Sequence, residues 1–380
     1  MAKIDYNINE DPTLKKMDEC LEEKQKLELP RRYLGMSEIG KPCQRELFYS
    51  FRGVARRIIS AQGIKAIEDG YDQEAKTIAR LRAVPDIELY NDNGEGQQIG
   101  FEMLLGHFRG HCDGVVKGLL QSPATWHVFE HKSVNETKFN KLISLVQTKG
   151  EKQALIEWDE IYFSQAQIYM RCLDMTRHYM VVSTPGGRAH TSCRTEYSAK
   201  KADLIIEKAQ SIIFDNFLIP ARISNKREAF SCKFCAFIGI CHDGDIPDVN
   251  CRSCRYRECV KDGQNNCLAS GEIIPDDVID VGCSDHIFNP ALMPEPAKLI
   301  EHEEDGCVYK IVKEGYLIIF SNTNAKGIPN FDKEVDEIYT SIELKEKIKN
   351  INNIKKEIKE TKLDMKAWAG KNIDTRLKGI

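Results

Sequence analysis

Two short stretches of the sequence, Gly110-His-Cys-Asp-Gly114 and Phe129-Glu-His-Lys132, decide the fold of this chain. A turn-like segment, residues 118–124, separates them and contains Gly, Ser and Pro. Strands on the two sides of such a turn pair antiparallel, and the spacing then puts Asp113 opposite Glu130. The sequence therefore predicts a hairpin with two carboxylates side by side.

The side chains around this acidic pair predict a cation site. Successive residues of a strand point to opposite faces, so Glu130 and Lys132 share a face while His131 points away from it. Acidic groups at this distance repel each other unless a cation neutralises them, and their hard oxygen ligands suit Mg²⁺ or Mn²⁺. The alternative is a solvated cross-strand cluster of Asp113, Glu130 and Lys132 that binds nothing.

Two further segments carry side chains that fit such a site. Gln165 and Tyr169 are four residues apart in a predicted helix, 162–175, and therefore lie on one face, where both can donate to a phosphate. Glu74, in a predicted helix over 66–82, offers a third carboxylate. The alternative for Glu74 is an ordinary acid on a helix surface.

The order of predicted elements indicates an α/β (α+β) fold with a mixed sheet. Helices and strands alternate along the first 216 residues, and a cysteine-rich stretch follows. The predicted elements are a charged helix over 11–30, a helix over 43–58 with an Arg-rich side (Arg45, Arg52, Arg56, Arg57), the helix 66–82, strands within 86–132, helices over 136–157 and 162–175, a strand over 177–184 and a helix over 198–216.

Composition excludes several classes of protein. The 380 residues are 42% hydrophobic and 29% charged, which argues against a disordered, collagen-like or membrane-embedded chain. The net charge of −4 gives no global positive field, so contact with a polyanion must use local basic patches. The first twelve residues lack the apolar core of a signal peptide. We expect a cytoplasmic protein, in a bacterium or an infected host cell.

Taken together, Glu74, the Gly110 to Asp113 stretch, Glu130-His131-Lys132 and Gln165 with Tyr169 resemble the successive motifs of RecB-type PD-(D/E)XK nucleases. The resemblance covers about residues 35–245. It implies a restriction-endonuclease-like core in which Glu74, Asp113, Glu130 and the backbone carbonyl of His131 hold Mg²⁺ or Mn²⁺. It also implies that Lys132 assists the attacking water and that Gln165 and Tyr169 bind DNA.

Two positions depart from the family pattern. Cys112 stands where a proline or a small apolar residue often precedes the aspartate. Glu74 stands where many RecB-like members have histidine, and in this it resembles the phage exonuclease branch. The resemblance therefore favours an exonuclease of phage or mobile-element type.

A first cysteine set consists of Cys43 and the clustered Cys232-x2-Cys235-x5-Cys241. One distant cysteine followed, after the core, by this spacing is similar to iron–sulfur nucleases of the AddB type and the CRISPR-adaptation type. That resemblance implies a [4Fe–4S] cluster that acts as a structural staple. Zn²⁺ is the alternative metal for the same four thiolates.

A second cysteine set follows and predicts a zinc site. Two C-x2 knuckles separated by a loop let thiolates reach one tetrahedral ion. The preferred ligands are Cys251, Cys254, Cys267 and Cys283, with Cys259 and His286 as substitutes. The alternative is a group of unligated thiols. Because residues 230–290 have few periodic apolar positions, we expect metal rather than an apolar core to organise them.

These observations predict four segments: 1–34, a charged helix; 35–245, the core with its iron–sulfur staple; 246–290, the zinc module; and 291–380. The last segment is expected to hold a hairpin over 305–320 around Lys313-Glu-Gly315. It also holds a Lys/Glu-rich helix over 335–366 with an Ile stripe at 348, 351, 354 and 358.

The function expected from these features is that of a Mg²⁺- or Mn²⁺-dependent deoxyribonuclease, an exonuclease rather than an endonuclease, in DNA recombination, repair or phage DNA metabolism. The expected partners are DNA and a recombination or replication protein, without a membrane. One alternative is a non-catalytic DNA-binding scaffold held by iron–sulfur and zinc sites. A redox enzyme is disfavoured because no G-x-G-x-x-G fingerprint occurs.

Overall fold

The computed structural model describes residues 11–313, 316–324, 331 and 335–354. The chain divides into two compact units. The first consists of the chain up to Cys43, Arg56–Phe214 and Lys261–Gly263, and the second of Gln44–Ala55, Asp215–Val260 and the chain from Gln264. Most of the segment expected over 35–245 thus belongs to the first unit, whereas residues 44–55 and 215–245 group with the second.

The α-helices of the described residues follow in chain order. They are α1 (Pro12–Leu27), α2 (Gln44–Phe51), α3 (Ala61–Arg82), α4 (Glu136–Lys149), α5 (Glu151–Trp158), α6 (Glu160–Cys172), α7 (Ala199–Phe214), α8 (Phe230–Lys233) and α9 (Ser341–Glu343). Short 3₁₀ or π turns occupy Pro185–Gly187, Gly239–Asp243, Cys251–Ser253, Lys261–Gly263, Pro290–Leu292 and Leu344–Ile348. None of these described helices is long and apolar enough to cross a membrane.

The strands in the described part of the chain form four sheets, of which three combine parallel and antiparallel pairs. The strands are β1 (Leu34–Gly35), β2 (Glu88–Tyr90), β3 (Ile99–Met103), β4 (Phe108–Cys112), β5 (Gly114–Lys117), β6 (His127–Ser133), β7 (Arg177–Ser183), β8 (His190–Glu196), β9 (Arg257–Cys259), β10 (Asn265–Cys267), β11 (Glu272–Ile273), β12 (Lys298–Glu303), β13 (Gly306–Lys313), β14 (Tyr316–Thr323) and β15 (Glu337–Thr340). The result is a mixed α/β architecture of sheets flanked by helices.

The five-stranded sheet of the first unit has the order β2-β5-β6-β7-β8, with only β6 and β7 parallel. Gly114 pairs with Phe129 in this sheet, which is the predicted register and puts Asp113, one residue earlier, level with Glu130. The predicted antiparallel hairpin and mixed sheet are confirmed. The neighbouring sheet of this unit has the order β1-β4-β3.

Helices cover this five-stranded sheet on both faces. Phe129 is buried in a cluster with Ile78 of α3 and Val181 of β7. Glu130, the next residue, points to the opposite face, where α6 lies against β6 and β7. The hairpin is therefore fixed by an apolar core on one face, and its acidic residue is covered by a helix on the other.

Local sequence signals explain the helix boundaries of the first unit. Ser60 caps α3 by accepting a hydrogen bond from the backbone of Gly63, so this helix begins earlier than the predicted residue 66. Gly150, with φ of +81°, divides the predicted helix 136–157 into α4 and α5. Asp159 accepts from the backbone N–H groups of Ile161 and Tyr162 and starts α6 before residue 162.

The predicted helix over 43–58 is shorter than expected, and its arginines are not all on a solvated side. Helix α2 ends at Phe51. Arg45 is buried and donates to the carbonyl oxygen of Pro220 at 2.7 Å, and Arg52 is buried and donates to Oδ1 of Asn216 at 2.5 Å. These two guanidinium groups stabilise the second unit by bonding distant parts of its chain.

The second unit is built on a sheet of order β12-β13-β14-β15. The predicted hairpin is confirmed as β13 and β14, although Glu314 and Gly315 lie outside the described residues. Residues 337–340 of the predicted helix 335–366 are instead strand β15, parallel to β14. The isoleucine stripe at 348, 351 and 354 is buried in the core of this sheet, whereas residues 355–366, with Ile358, lie outside the described residues.

The expectation that metal rather than an apolar core organises residues 230–290 is wrong in part. Phe237 and Ile240 belong to a buried cluster with Phe48 of α2, and Ile287 and Phe288 belong to the core of the four-stranded sheet. The apolar residues are irregularly spaced because the segment has little regular secondary structure, so periodicity did not reveal them. Between these ends lies a small antiparallel sheet of order β9-β10-β11.

Candidate active site

Asp113 lies where the chain leaves β4 for β5, and so passes from the three-stranded sheet to the five-stranded one. The next residue, Gly114, has φ of +155°, and a Cβ there would stand 2.5 Å from the carbonyl oxygen of Tyr90, so this position requires glycine. Oδ2 of Asp113 accepts a hydrogen bond of 2.7 Å from the backbone N–H of His131. The carboxylate is thereby fixed against β6.

Glu130 and Lys132 share a face of β6, as predicted, and contact each other. The Lys132 ammonium group donates to Oε1 of Glu130. Glu130 is only 2% exposed, whereas the Lys132 side chain retains 21%. The side chain of His131 points to the other face, where Nε2 lies 3.1 Å from Oγ of Ser183. The solvated cross-strand cluster is therefore wrong for Glu130, because α6 covers it.

Gln165 and Tyr169 are brought to this acidic centre by α6, but they are buried. Nε2 of Gln165 donates to Oε1 of Glu130 at 2.8 Å and to the hydroxyl oxygen of Tyr169 at 3.1 Å. Gln165 is 4% and Tyr169 1% exposed. A Cβ on Gly110 would stand 2.9 Å from Cε1 of Tyr169, so glycine at 110 makes room for the ring. In this structure the pair contacts the acidic residue rather than presenting a surface for DNA.

The three carboxylates influence one another electrostatically. Burial, followed by the charge of Asp113, raises the pKa of Glu130 to about 8. Burial and Asp113 also raise the pKa of Glu74, which is half-buried on α3, to about 7, against the opposing effect of Lys132. Burial raises the pKa of Asp113, although Lys132 and the His131 N–H act against it. Glu74 therefore belongs to the acidic group, as predicted.

Lys132 is the cation that balances this group. Its burial opposes the charged form, but Glu130 and Asp113 together raise its pKa above the ordinary range for lysine. One ammonium facing three carboxylates leaves an excess of negative charge. This excess adds to the effect of burial in raising the pKa values of Glu130 and Glu74, and a divalent cation would remove it.

One carboxylate oxygen of Glu130 is left to bind an ion. Its Oε1 accepts from both Lys132 and Gln165, whereas its Oε2 is buried and has no hydrogen-bond partner among the described residues. An orphaned carboxylate oxygen among three acids suits a hard cation such as Mg²⁺ or Mn²⁺. As the side chains stand, no group of three or more His, Cys, Asp or Glu residues in the described ranges could hold a metal ion. The donor atoms of this site are therefore of the type that Mg²⁺ or Mn²⁺ prefers, although the side chains are not arranged around an ion.

Tyr162, in the first turn of α6, was not singled out by sequence reasoning. Its ring centroid lies 5.5 Å from Nζ of Lys132 and 4.5 Å from Nζ of Lys138. Lys138 also pairs with Asp159 at 2.6 Å. The only sequence signal was an aromatic residue three positions before Gln165, and helical spacing puts residues so separated on one side of α6.

The first cysteine set has members in both units. Cys43 belongs to the first unit and Cys232, Cys235 and Cys241 to the second. Within the second unit, Cys235 and Cys241 pack against the cluster of Phe48 and Tyr49. Burial raises the pKa of the Cys241 thiol, while Arg222 and Arg45 lower it. The four-thiolate set and its iron–sulfur cluster or zinc ion stay a prediction.

The second cysteine set falls entirely in the second unit. Its four preferred members, with the substitute His286, line one cavity, and the substitute Cys259 does not line it. The cavity-lining members are Cys251, Cys254, Cys267, Cys283 and His286.

Comparison with known proteins gives structural neighbours only. No protein-family profile matches the chain, and no curated protein does. LHK-Exo in complex with dAMP is similar with 17% identity and a TM-score of 0.33, over 47% of this chain and 85% of that one. LHK-Exo is an alkaline exonuclease from Laribacter hongkongensis, and a second structure of it has 15% identity and a TM-score of 0.34, over 48% and 87% of the two chains. A phage-related exonuclease from Haemophilus somnus 129PT has 14% identity and a TM-score of 0.31, over 44% of this chain and 77% of that one.

Proposed function

We propose that this protein is a metal-dependent nuclease that hydrolyses phosphodiester bonds in DNA. The observation that carries the proposal is the convergence of Glu74, Asp113 and Glu130 with Lys132, in which the buried Oε2 of Glu130 has no hydrogen-bond partner within the described part of the chain. Carboxylates with strongly perturbed pKa values cluster at functional sites, where the destabilising repulsion serves chemistry.

The roles assigned here are those that the resemblance to RecB-type nucleases implies. Glu74, Asp113 and Glu130 would hold Mg²⁺ or Mn²⁺, with the His131 backbone carbonyl as a further ligand. When bound, such an ion lowers the pKa of water and stabilises charge on the phosphate. Lys132, held charged by Glu130, stabilises the negative charge of the attacking oxygen. In the hydrolysis, the water oxygen bonds to phosphorus as the phosphorus–oxygen bond to the leaving sugar breaks.

Gln165 and Tyr169 serve this site by positioning Glu130. Gln165 holds Oε1 of Glu130 at 2.8 Å, and the buried Oε2 has no hydrogen-bond partner among the described residues. Buried groups hydrogen-bonded in this way orient a ligand and tune its affinity for the ion. A direct contact with DNA, as implied by the family resemblance, would require these side chains to become exposed.

DNA as substrate and exonuclease action rest on the order and spacing of the RecB-type motifs. The same resemblance supports a role in recombination, repair or phage DNA metabolism, with DNA and a recombination or replication protein as partners. The proposal predicts that cleavage begins at DNA ends, so a linear duplex is degraded while a covalently closed circle is not.

The test measures cleavage of end-labelled linear single-stranded and double-stranded DNA, and of closed circular DNA, with Mg²⁺, Mn²⁺ or EDTA. The variants are Lys132→Ala and Asp113→Asn; the latter keeps an oxygen that can accept from the His131 N–H. Lys117→Ala is the matched control, because Lys117 lies on the neighbouring strand β5 with its ammonium near Trp126. We expect metal-dependent cleavage by the wild type and the control, and none by the two site variants.

Two results would contradict the proposal. Cleavage by Lys132→Ala at the wild-type rate would show that the site is wrongly assigned. Tight DNA binding by metal-loaded wild type without any cleavage would favour the non-catalytic DNA-binding scaffold instead. Degradation of closed circles would replace the exonuclease with an endonuclease.

A further inference from the structure

A cavity of about 260 Å³ in the second unit is lined by four cysteines that the proposed reaction does not use. They are Cys251, Cys254, Cys267 and Cys283. Four thiols from three separate stretches of chain thus share one space.

Each stretch presents its cysteine from a tight turn. The backbone N–H of Cys254 donates to the carbonyl of Cys251, and that of His286 donates to Cys283, so both C-x2 segments form closed turns. Cys267 ends β10, and its carbonyl accepts from Gly271 at 2.7 Å. Turns of this kind are the usual way in which a chain points two thiolates at one tetrahedral ion.

The turns are also connected to one another. Nε2 of His286 lies 3.0 Å from the carbonyl oxygen of Asn250 and 3.1 Å from Oγ of Ser253, which flank Cys251. Asn250 and Ser253 cap each other's backbone in the same turn. His286 therefore joins the two C-x2 turns through Nε2, while its buried Nδ1 has no hydrogen-bond partner among the described residues. The four cysteines remain the preferred ligand set, with His286 as the substitute.

The small sheet in the middle of this region has short strands and exposes part of its apolar surface. Its strands β9, β10 and β11 have three, three and two residues. Several of its apolar side chains are exposed, including Leu268 at 57% and Val281 at 62%. Segments that cannot bury enough apolar surface are commonly held by a metal ion.

We propose that Cys251, Cys254, Cys267 and Cys283 bind one structural Zn²⁺. As the side chains stand, these four cysteines do not form a metal-binding group, so they must turn inward to reach a common ion. The cavity has room for the ion and for this movement. Zn²⁺ is preferred because it takes four thiolates in a closed tetrahedron. The proposal does not depend on nuclease activity, since the site serves the stability of residues 250–289.

The experiment measures zinc and iron per chain by elemental analysis of full-length protein purified without oxygen. The variants are Cys283→Ser, at the exposed cysteine, and Cys259→Ser as the matched control, because Cys259 lies on β9 of the same small sheet but outside the cavity. Cys241→Ser tests the separate set that includes Cys43. We expect about one zinc per chain in the wild type, Cys259→Ser and Cys241→Ser. We expect a loss of most of it in Cys283→Ser.

A second measurement on the wild type covers the case in which a variant fails to fold. Stepwise chemical modification of the cysteine thiols should release zinc, which a coloured zinc indicator detects. Loss of the zinc should make residues 250–289 sensitive to protease. Three outcomes overturn the proposal: no zinc in the wild type, full zinc in folded Cys283→Ser, or loss of iron rather than zinc from that variant.

Discussion

The amide nitrogen of Gln165 lies 2.8 Å from Oε1 of Glu130 and 3.1 Å from the hydroxyl oxygen of Tyr169. One side chain of α6 thus fixes an acidic residue of β6 and is itself held by a second residue of the same helix. Oε1 also accepts from Lys132, so only Oε2 is left for an ion. The relationship makes Gln165 a positioning residue.

Replacing Gln165 should weaken metal binding more than it weakens the fold. In Gln165→Leu the carboxylate of Glu130 loses a donor and can rotate away from the other acids. Loss of such an orienting partner typically costs about 10–100-fold in metal affinity or activity. We expect the Mg²⁺ concentration for half-maximal cleavage to rise, and Mg²⁺ titration of the cleavage rate measures it.

Gln167→Leu is the matched control for this prediction. Gln167 is also buried on α6, but its amide contacts the backbone of Glu196 and Ser198 rather than the acidic centre. This variant should lose stability and keep the wild-type metal requirement. An equal shift of the metal requirement in both variants would reduce the role of Gln165 to general support of the helix.

The raised pKa values of the acidic group predict how stability depends on pH without metal. Glu130 titrates near 8 and Glu74 near 7 in the folded protein, against 4.5 for an ordinary glutamate. Between about pH 4.5 and pH 8, the folded state therefore binds more protons than the unfolded state. Their stabilising contribution is complete below about pH 4.5 and is lost as the pH rises to about 8.

Thermal unfolding in EDTA at pH 5 and at pH 8 tests this dependence. Glu130→Gln removes the titrating group, so the wild type should lose more thermal stability than this variant between pH 5 and pH 8. The Tm of the variant minus that of the wild type should therefore be higher at pH 8 than at pH 5. Saturating Mg²⁺ should reduce the difference, because the bound cation favours the ionised carboxylates. A Tm difference that is the same at both pH values would contradict the raised pKa of Glu130.

Gly110 should not tolerate a side chain. A Cβ there would stand 2.8 Å from Cβ of Met36 and 2.9 Å from Cε1 of Tyr169, so Gly110→Ala overpacks the core beside the site. Overpacking of this kind costs about 1–3 kcal/mol of unfolding free energy. We also expect slower cleavage, because the displaced Tyr169 ring no longer supports Gln165.

Gly70→Ala provides the opposite case. Gly70 lies within α3, and a Cβ there has no heavy atom within 4 Å. The substitution should raise the unfolding free energy by about 0.5–1 kcal/mol, because alanine loses less conformational entropy in a helix. Chemical denaturation of both variants measures the contrast. A neutral result for Gly110→Ala would show that Met36 and Tyr169 can move apart freely.

The sequence predicted the acidic hairpin because the information there is local. A turn of few residues sets the register, and alternation along a strand sets the faces, so Asp113, Glu130 and Lys132 could be placed together without a structure. Helical spacing likewise put Gln165 and Tyr169 on one face of α6. Their burial could not be read from spacing, since it depends on how α6 packs on the sheet.

The features that were missed depend on distant parts of the chain. Residues 337–340 form strand β15 by pairing with β14, and Ile338, Tyr339 and Thr340 are residue types that favour strands; the predicted helix extends over them because of the Lys/Glu-rich sequence that follows. Arg52 has a charged side chain, which suggests exposure, but it is buried and donates a hydrogen bond to Asn216, 164 positions later. Cys251, Cys254 and Cys283, in contrast, could be singled out from C-x2 spacing, because such turns are local; that they bind an ion with Cys267 stays a prediction.

Tyr162 should support Lys132 through its ring rather than its hydroxyl group. Its centroid lies 5.5 Å from Nζ of Lys132, and a cation near an aromatic face gains about 0.5–1 kcal/mol. If this interaction holds the ammonium in place, Tyr162→Leu should lower kcat about 2–5-fold, whereas Tyr162→Phe should match the wild type. Single-turnover cleavage of linear DNA at saturating metal measures the difference.

The neighbouring Lys138 separates this effect from a simple change of surface charge. Its ammonium lies closer to the same ring, at 4.5 Å, but is paired with Asp159 away from the acids. Lys138→Ala should therefore leave the rate of the chemical step unchanged while removing the nearer cation. If Lys138→Ala lowers kcat as much as Tyr162→Leu does, the effect comes from the positive charge at the surface. The Tyr162 ring would then have no separate role at Lys132.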